Sequence, residues 1–232
     1  ANTFSWHTRL MPEWQILSFP YVVKNPDHLQ RIHESDWFRE IEDRYYEEHR
    51  IKIIANNGFR LPRQLLHNSR AMTTPEEVQG VKLRMADAKI FVEPWTDFGA
   101  DVTIVPWGET AVALQTGLVE GMGAPANLIY PQKFYEGAPH VTLTSHQMDT
   151  FDLFMSADHW ESLSPELQEV LTESAEDALE WYSAQMDGVW AEHQEILRSE
   201  GVQFHEPDLE AWRSMATEVA REWEAETGVG TA

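Results

Sequence analysis

The chain of 232 residues contains no cysteine. Without thiols it can form neither a disulfide framework nor a cysteine-ligated zinc site, and a thiol nucleophile is excluded as well. The sequence also lacks any apolar run approaching the roughly 20 residues that a membrane-spanning helix needs. We therefore expect no direct membrane insertion. No signal peptide is recognisable at Ala1, so we expect that any export signal has already been removed.

Basic residues are scarce. The chain has 17 lysines and arginines against 39 aspartates and glutamates, which gives a formal net charge of −22. Such a charge repels the phosphates of nucleic acids and the headgroups of an anionic membrane. We therefore expect no nucleic-acid partner and no anionic membrane surface as a partner. A high-salt habitat and simple solubility each account for the acidity.

Motifs for catalysis and metal binding are missing too. The sequence has no HExxH, no GxSxG nucleophile elbow and no phosphate loop, and Gly121-Met122-Gly123 is only a fragment of a dinucleotide fingerprint. His28 and His33 are spaced poorly for one helix face, and the paired glutamates fall in surface-helix patterns. We predict no metal site, no cofactor and no catalytic residue.

The most informative stretch that is present runs from Gly80 to Pro125. The run 81–85 alternates apolar with basic residues and predicts a strand, and the apolar run 102–105 predicts a second strand. A helix-length segment separates them, and another helical pattern follows and ends at Gly117. Strand, helix, strand and helix in this order are typical of an α/β layer.

Arg84 and Trp107 both fall at the ends of these predicted strands. In open α/β sheets ligands bind beyond the carboxyl ends of the strands. A guanidinium beside an indole suits a carboxylate on a small organic body, because the guanidinium binds two oxygens while the ring covers apolar surface. A structural ion pair for Arg84 and an ordinary core position for Trp107 would explain the same two residues.

The segments GVKLRM, VPWGETAVALQTGLVEG and PQKFYE resemble the solute-binding proteins of tripartite ATP-independent periplasmic (TRAP) transporters. The resemblance extends from about Pro12 to about Trp223. It implies an α/β, two-lobed, periplasmic-binding-protein-like fold with a long helix spanning both lobes. It also implies a periplasmic protein, not an enzyme, that captures a small organic acid between two lobes and delivers it to a TRAP permease. Members of the family normally carry a further N-terminal strand-helix-strand portion, so we expect the first lobe to be incomplete.

The expected domain organisation follows from the helical periodicity and from the resemblance. An apolar face is kept from Pro165 until Gly201, and at about 1.5 Å per residue such a helix would be roughly 54 Å long. Gly188 inside it should cost about 1 kcal/mol of helix stability and favour a bend. We predict an incomplete first lobe, a second lobe, a long spanning helix and a C-terminal strand and helix, with the respective bounds 1–60 plus 148–164, 61–147, 165–200 and 201–232.

The resemblance also assigns ligand-binding residues. Arg84 would make the main two-pronged contact with the ligand carboxylate, and Trp107 would lie against the ligand body. Arg60, at the crossover between lobes, would assist or would form a hinge salt bridge. Ala124 replaces an asparagine that can help to hold the carboxylate, and Asn127 is a candidate substitute. Because the site then has fewer polar groups, we expect a less hydroxylated ligand than a sialic or sugar acid.

Two other classes of function remain open. One is a helical interaction protein that dimerises through residues 165–200. The other is a carboxylate-processing enzyme that uses the same arginines, for which the sequence offers no good reactive group.

Overall fold

The computed structural model describes residues 2–228, so the last four residues of the predicted C-terminal segment lie outside it. The described residues form two compact units, each assembled from separate segments of the chain. The first unit contains the residues up to Ser18 together with Val23–Arg60 and Met148–Met186. The second contains Phe19–Val22, Leu61–Gln147 and the residues from Asp187 onward.

Strands and helices alternate along most of the chain. The strands are β1 (Asn2–Thr3), β2 (Ile51–Phe59), β3 (Arg63–His67), β4 (Lys82–Met85), β5 (Asp101–Ile104), β6 (Gly121–Pro125), β7 (His140–Gln147), β8 (Thr150–Ser156) and β9 (Gln203–His205). The helices are α1 (Pro26–His33), α2 (Asp36–His49), α3 (Lys89–Asp97), α4 (Thr110–Gln115), α5 (Ala157–Glu161), α6 (Pro165–Ser199) and α7 (Leu209–Thr227).

In the first unit, the described residues form a sheet of three antiparallel strands in the order β1-β8-β2. The first part of α6 packs on this sheet, where Ala175 and Leu179 meet Ala55 in a small apolar cluster. Helix α2 begins after Ser35, whose hydroxyl accepts a hydrogen bond from the Phe38 amide and so caps the helix. The α2 face that carries Phe38 is buried, and the ring of Phe38 stacks on the indole of Trp14.

In the second unit, the described residues form a mixed six-stranded sheet in the order β5-β4-β6-β3-β7-β9. Strand β4 runs parallel to both β5 and β6, β7 runs parallel to β9, and β3 is antiparallel to its two neighbours. The core below this sheet includes Leu66, Met122 and Val141, one residue from each of three adjacent strands. The parallel strands β4, β5 and β6 bring their carboxyl ends to one edge, where a ligand site is expected.

Helix α6 is continuous from Pro165 to Ser199, so Gly188 does not interrupt it. Its residues up to Met186 belong to the first unit and those from Asp187 onward belong to the second. Trp190 packs against the core cluster of the second unit. One helix therefore supplies side chains to both units.

Two glycines provide a matched test of packing. A Cβ added at Gly58 in β2 would lie 2.5 Å from the Phe151 carbonyl oxygen and 2.8 Å from Leu179 Cδ2, whereas one added at Gly188 would meet nothing within 4 Å. We expect Gly58→Ala to lower the free energy of unfolding by about 2–4 kcal/mol, because backbone must move to admit the methyl group. Gly188→Ala should raise it by about 0.5–1 kcal/mol, because alanine is the better helix former.

Urea denaturation of the two variants beside the parent protein measures both effects. Equal effects of the two substitutions would contradict the packing described around Gly58.

Candidate functional site

Arg84 lies in β4, between β5 and β6. Both faces of this strand are covered, and Arg84 is only 3% exposed. Its Nε donates a hydrogen bond of 2.9 Å to the carbonyl oxygen of Val105, directly after β5. This bond fixes the side chain beside the end of the neighbouring strand.

The guanidinium of Arg84 has no acidic partner among the residues that the structure describes. Among residues 2–228, no carboxylate forms an ion pair with it, and the Val105 carbonyl is its sole hydrogen-bond acceptor. Burial lowers the pKa of Arg84 to about 10, so the side chain still carries its charge at neutral pH. Because buried charges are normally paired, an unpaired one is costly and points to an anion supplied from outside the chain. The structural ion pair considered for Arg84 is not formed within the described residues.

Trp107 lies shortly after β5, in the short 3-10 turn Trp107–Glu109. Its ring lies 5.5 Å from the Arg84 guanidinium carbon, within range of a cation–π interaction. The edge of the indole meets the ring of Phe134, with 5.1 Å between centroids. Trp107 is 36% exposed, so it covers one side of the guanidinium and keeps apolar surface free for a ligand.

Ala124 and Asn127 lie on β6 and in the turn that follows it. Ala124 is fully buried in the core cluster with Leu66 and Met122. The Oδ1 atom of Asn127 is buried and receives no hydrogen bond in the described part of the chain. Because buried acceptors are normally satisfied, this oxygen calls for a donor from water or a ligand.

Arg60 belongs to the first unit, whereas the other four predicted site residues belong to the second. It follows β2 directly, and its amide donates to the Asp149 carbonyl oxygen at 3.2 Å. The side chain is partly exposed, and within residues 2–228 it forms no ion pair or hydrogen bond. The hinge salt bridge considered for Arg60 is therefore not present in the described residues.

Sequence reasoning passed over Arg63 on β3. Its Nη2 donates to the Gly123 carbonyl oxygen at 2.7 Å, and its guanidinium carbon lies 5.7 Å from the ring of Phe91. A Cβ at Gly123 would lie 2.9 Å from Nε2 of His146 and 3.8 Å from Nε of Arg63, so both side chains lie close over this glycine. The feature of the sequence that could have pointed to Arg63 is its position as a second cation soon after Arg60, at the start of an apolar run.

His146 is also buried, and its Nδ1 lies 2.8 Å from the Thr144 hydroxyl. Burial and, to a smaller extent, the charge of Arg63 lower the pKa of His146 to about 3. This imidazole is therefore neutral at physiological pH, and Arg63 supplies the positive charge of the pair.

Within residues 2–228 no group of three or more histidine, aspartate or glutamate side chains is placed to hold a metal ion. No helix in the same range combines the length and apolarity needed to cross a bilayer. The described residues thus offer a buried cation covered by an indole, an arrangement that can bind a carboxylate.

An α/β fold of two units with one continuous helix shared between them defines the class of periplasmic-binding-protein-like proteins, as predicted. The family model of "Bacterial extracellular solute-binding protein, family 7" matches residues 3–227, and the chain belongs to this family. The family resemblance inferred from the sequence motifs is thereby confirmed.

The curated relatives of this chain are named as binding proteins. The chain is 28% identical over 205 residues to a solute-binding protein of Roseobacter denitrificans, covering 88% of this chain and 62% of the relative. It is 26% identical over 218 residues to the sialic acid-binding periplasmic protein of Vibrio cholerae, covering 94% and 67%. The chain thus spans only about three fifths to two thirds of these relatives' length. The family description confirms the expected extracytoplasmic localisation.

Solved structures show the same fold. A TRAP periplasmic solute-binding protein from a Sulfitobacter species, with bound β-D-galacturonate, matches with a TM-score of 0.90 at 21% identity, over 97% of this chain and 75% of that one. Another from Roseobacter denitrificans, with bound 3-deoxy-D-manno-oct-2-ulosonic acid, matches with a TM-score of 0.88 at 26% identity, over 93% and 72%. These likenesses confirm the predicted two-lobed fold class.

Proposed function

We propose that this chain is an extracytoplasmic solute-binding protein that captures a small organic acid at the Arg84 site and delivers it to a TRAP-type membrane permease. The observation that carries the proposal is the buried, charged guanidinium of Arg84, which has no acidic partner in the described residues and lies beside the indole of Trp107. A ligand carboxylate would supply the missing negative charge through two parallel hydrogen bonds.

The ligands named for similar proteins support a carboxylate. Relatives are named for binding sialic acid and C4-dicarboxylates, and structural neighbours hold galacturonate and glucuronate. For the present chain, Ala124 and Gly123 bring no polar side chain to β6, and we propose a ligand with fewer hydroxyl groups than these sugar acids. Asn127 is the candidate for an additional contact, because its Oδ1 requires a donor. Arg63 is a second candidate cation in the same unit as Arg84.

The family consists of solute-binding proteins, and we propose that this chain likewise has no catalytic turnover. Dimerisation through α6 is less well supported. The helix exposes apolar side chains at Leu167, Val170 and Trp181, but acidic residues that include Glu173 and Glu180 accompany them. Two copies of such an acidic helix repel each other at moderate ionic strength.

A thermal-shift screen tests the proposed function. The ligands are C4-dicarboxylates, short monocarboxylates and uronates, each beside an uncharged analogue such as the corresponding amide or alcohol. A ligand present at 100 times its dissociation constant should stabilise the protein by about 2.7 kcal/mol, which gives a readily measured rise in melting temperature. We expect a rise with at least one acid and none with its uncharged analogue. Equal shifts with acids and analogues, or no shift with any acid, would contradict the proposal.

A further inference from the structure

Three histidines form a row at one edge of the second unit's sheet, away from the proposed ligand site. His67 on β3 and His140 on β7 are direct register partners. His205 lies on β9, where its Cα pairs with that of Thr142, two positions along the strand from His140. Because side chains of a strand alternate between the faces of the sheet, all three imidazoles lie on the same face.

The rings of His140 and His205 meet edge to edge. Nδ1 of His140 lies 3.1 Å from Nε2 of His205, the planes differ by 17°, and the ring centroids are 5.3 Å apart. A ring nitrogen lies about 1.1 Å from the centre of its imidazole, so the centroid distance is close to the nitrogen–nitrogen distance plus two ring radii. The two nitrogens therefore point at each other, which is the geometry of an N–H···N hydrogen bond and not of stacked faces.

This bond depends on how many protons the pair holds. With both imidazoles neutral, one nitrogen donates and the other accepts. A single additional proton leaves the bond intact, because an imidazolium can still donate to a neutral imidazole. A second additional proton places hydrogen on both facing nitrogens and positive charge on both rings, so attraction becomes repulsion.

The surroundings do not favour the second proton. Burial, followed by the charge of His205, lowers the pKa of His140. On the β3 side His140 faces His67, whose pKa is lowered by burial and by the charge of Arg70, while the charge of Glu120 opposes this shift. Within residues 2–228, neither His140 nor His205 forms an ion pair with a carboxylate.

Besides the histidine pair, β9 is held by its ladder with β7 and by Phe204, which packs against the core cluster and meets the ring of Trp190 edge-on. Strand β9 has one neighbour strand, β7, and its register covers only Gln203 to His205. On the strand itself, the Gln203 amide donates to the Pro139 carbonyl oxygen at 2.9 Å, and Arg198 lies over the ring of Phe204. The strand joins α6 to α7, so its detachment would loosen the connection between these two helices.

We propose that the His140–His205 pair is a pH-sensitive latch that holds edge strand β9 on β7 near neutral pH and releases it in mildly acidic solution. The sign follows from proton linkage. A histidine that is harder to protonate in the folded protein than in the unfolded chain stabilises the fold above its ordinary pKa and loses that contribution as the pH falls.

Hydrogen exchange followed by mass spectrometry tests the latch, with the amides of β9 compared to those of β4 in the same sample. In the parent protein we expect the protection factors of β9 to fall about tenfold or more between pH 7 and pH 5, while those of β4 change little. His205→Gln should keep β9 protected at both pH values, because an amide nitrogen can donate to His140 without gaining a proton. His205→Ala should leave β9 poorly protected at both.

His159→Gln is the matched control, because His159 is exposed in the other unit and should leave the pH dependence of β9 unchanged. The latch would be overturned if protection of β9 in the parent protein were the same at pH 7 and pH 5. It would equally be overturned if His205→Gln lost protection in parallel with the parent. Neither result depends on whether an organic acid binds at Arg84.

Discussion

Arg84→Met should lower affinity for the ligand carboxylate at least about 30-fold while leaving the folded protein as stable as the parent, or more stable. Removing one partner of a buried, hydrogen-bonded charge pair costs about 2–5 kcal/mol of binding free energy, and the upper part of this range corresponds to more than a thousandfold. The fold itself loses one hydrogen bond to Val105 and the contact with Trp107. In exchange it no longer holds out of water a charge that no acid among the described residues pairs with. Replacing such a charge by a well-packed apolar side chain is often neutral or stabilising.

Isothermal calorimetry with the best acid from the screen gives the affinity, and urea denaturation without ligand gives the stability. Arg84→Lys separates charge from geometry, because lysine keeps the charge but lacks the planar two-pronged donor. Lys82→Met is the matched control, since Lys82 is on the same strand and exposed. Unaltered carboxylate binding in Arg84→Lys would refute the two-pronged contact. A loss of several kcal/mol of stability in Arg84→Met would show that the arginine is structural.

The second large effect concerns acid stability. His146 has a pKa of about 3 in the folded protein, against an ordinary value of 6.5 for an unfolded chain. Between these values the unfolded chain binds a proton that the folded protein does not. Stability should therefore be at its full value above pH 6.5 and fall as the pH is lowered towards 3, by about 4–5 kcal/mol for this one residue. His33 contributes with the same sign in the first unit, because burial lowers its pKa to about 4.

The measurement is the free energy of unfolding from urea titrations at intervals from pH 8 to pH 4, for the parent and for His146→Gln. The slopes are compared, because the substitution also removes the contact with Thr144 and so shifts the whole curve. We expect the variant to lose markedly less stability than the parent over this range. His159→Gln, with its exposed side chain, should have the parent's slope. Parallel curves for the parent and His146→Gln would contradict the assignment of a neutral, buried His146.

These two predictions concern different parts of the second unit's sheet. Arg84 is a charge on a buried strand that no acid in the described part of the chain neutralises, and this arrangement suits a site that binds an anion from outside. His146 is a base kept neutral by burial beside Arg63. Natural proteins commonly accept a loss of stability at functional sites, so a stabilising Arg84→Met would itself support a binding role.

The sequence by itself determined several features of this protein. Alternation in 81–85 and the apolar run 102–105 predicted β4 and β5, because strand patterns are local. The helical period after Pro165 predicted the long helix α6. Arg84 and Trp107 could be paired in advance because parallel strands joined by a helix bring their carboxyl ends to one edge. Family membership rested on short contiguous segments and needed no coordinates.

Only the tertiary structure decided what surrounds these residues. It showed that no acid in the described chain reaches Arg84, that Ala124 belongs to the core, and that His140 meets His205. Such contacts join residues far apart in the sequence, through a strand order in which β3 lies between β6 and β7. A single sequence carries local periodicity but not this order, because the pairing of distant strands is selected by packing of the whole unit.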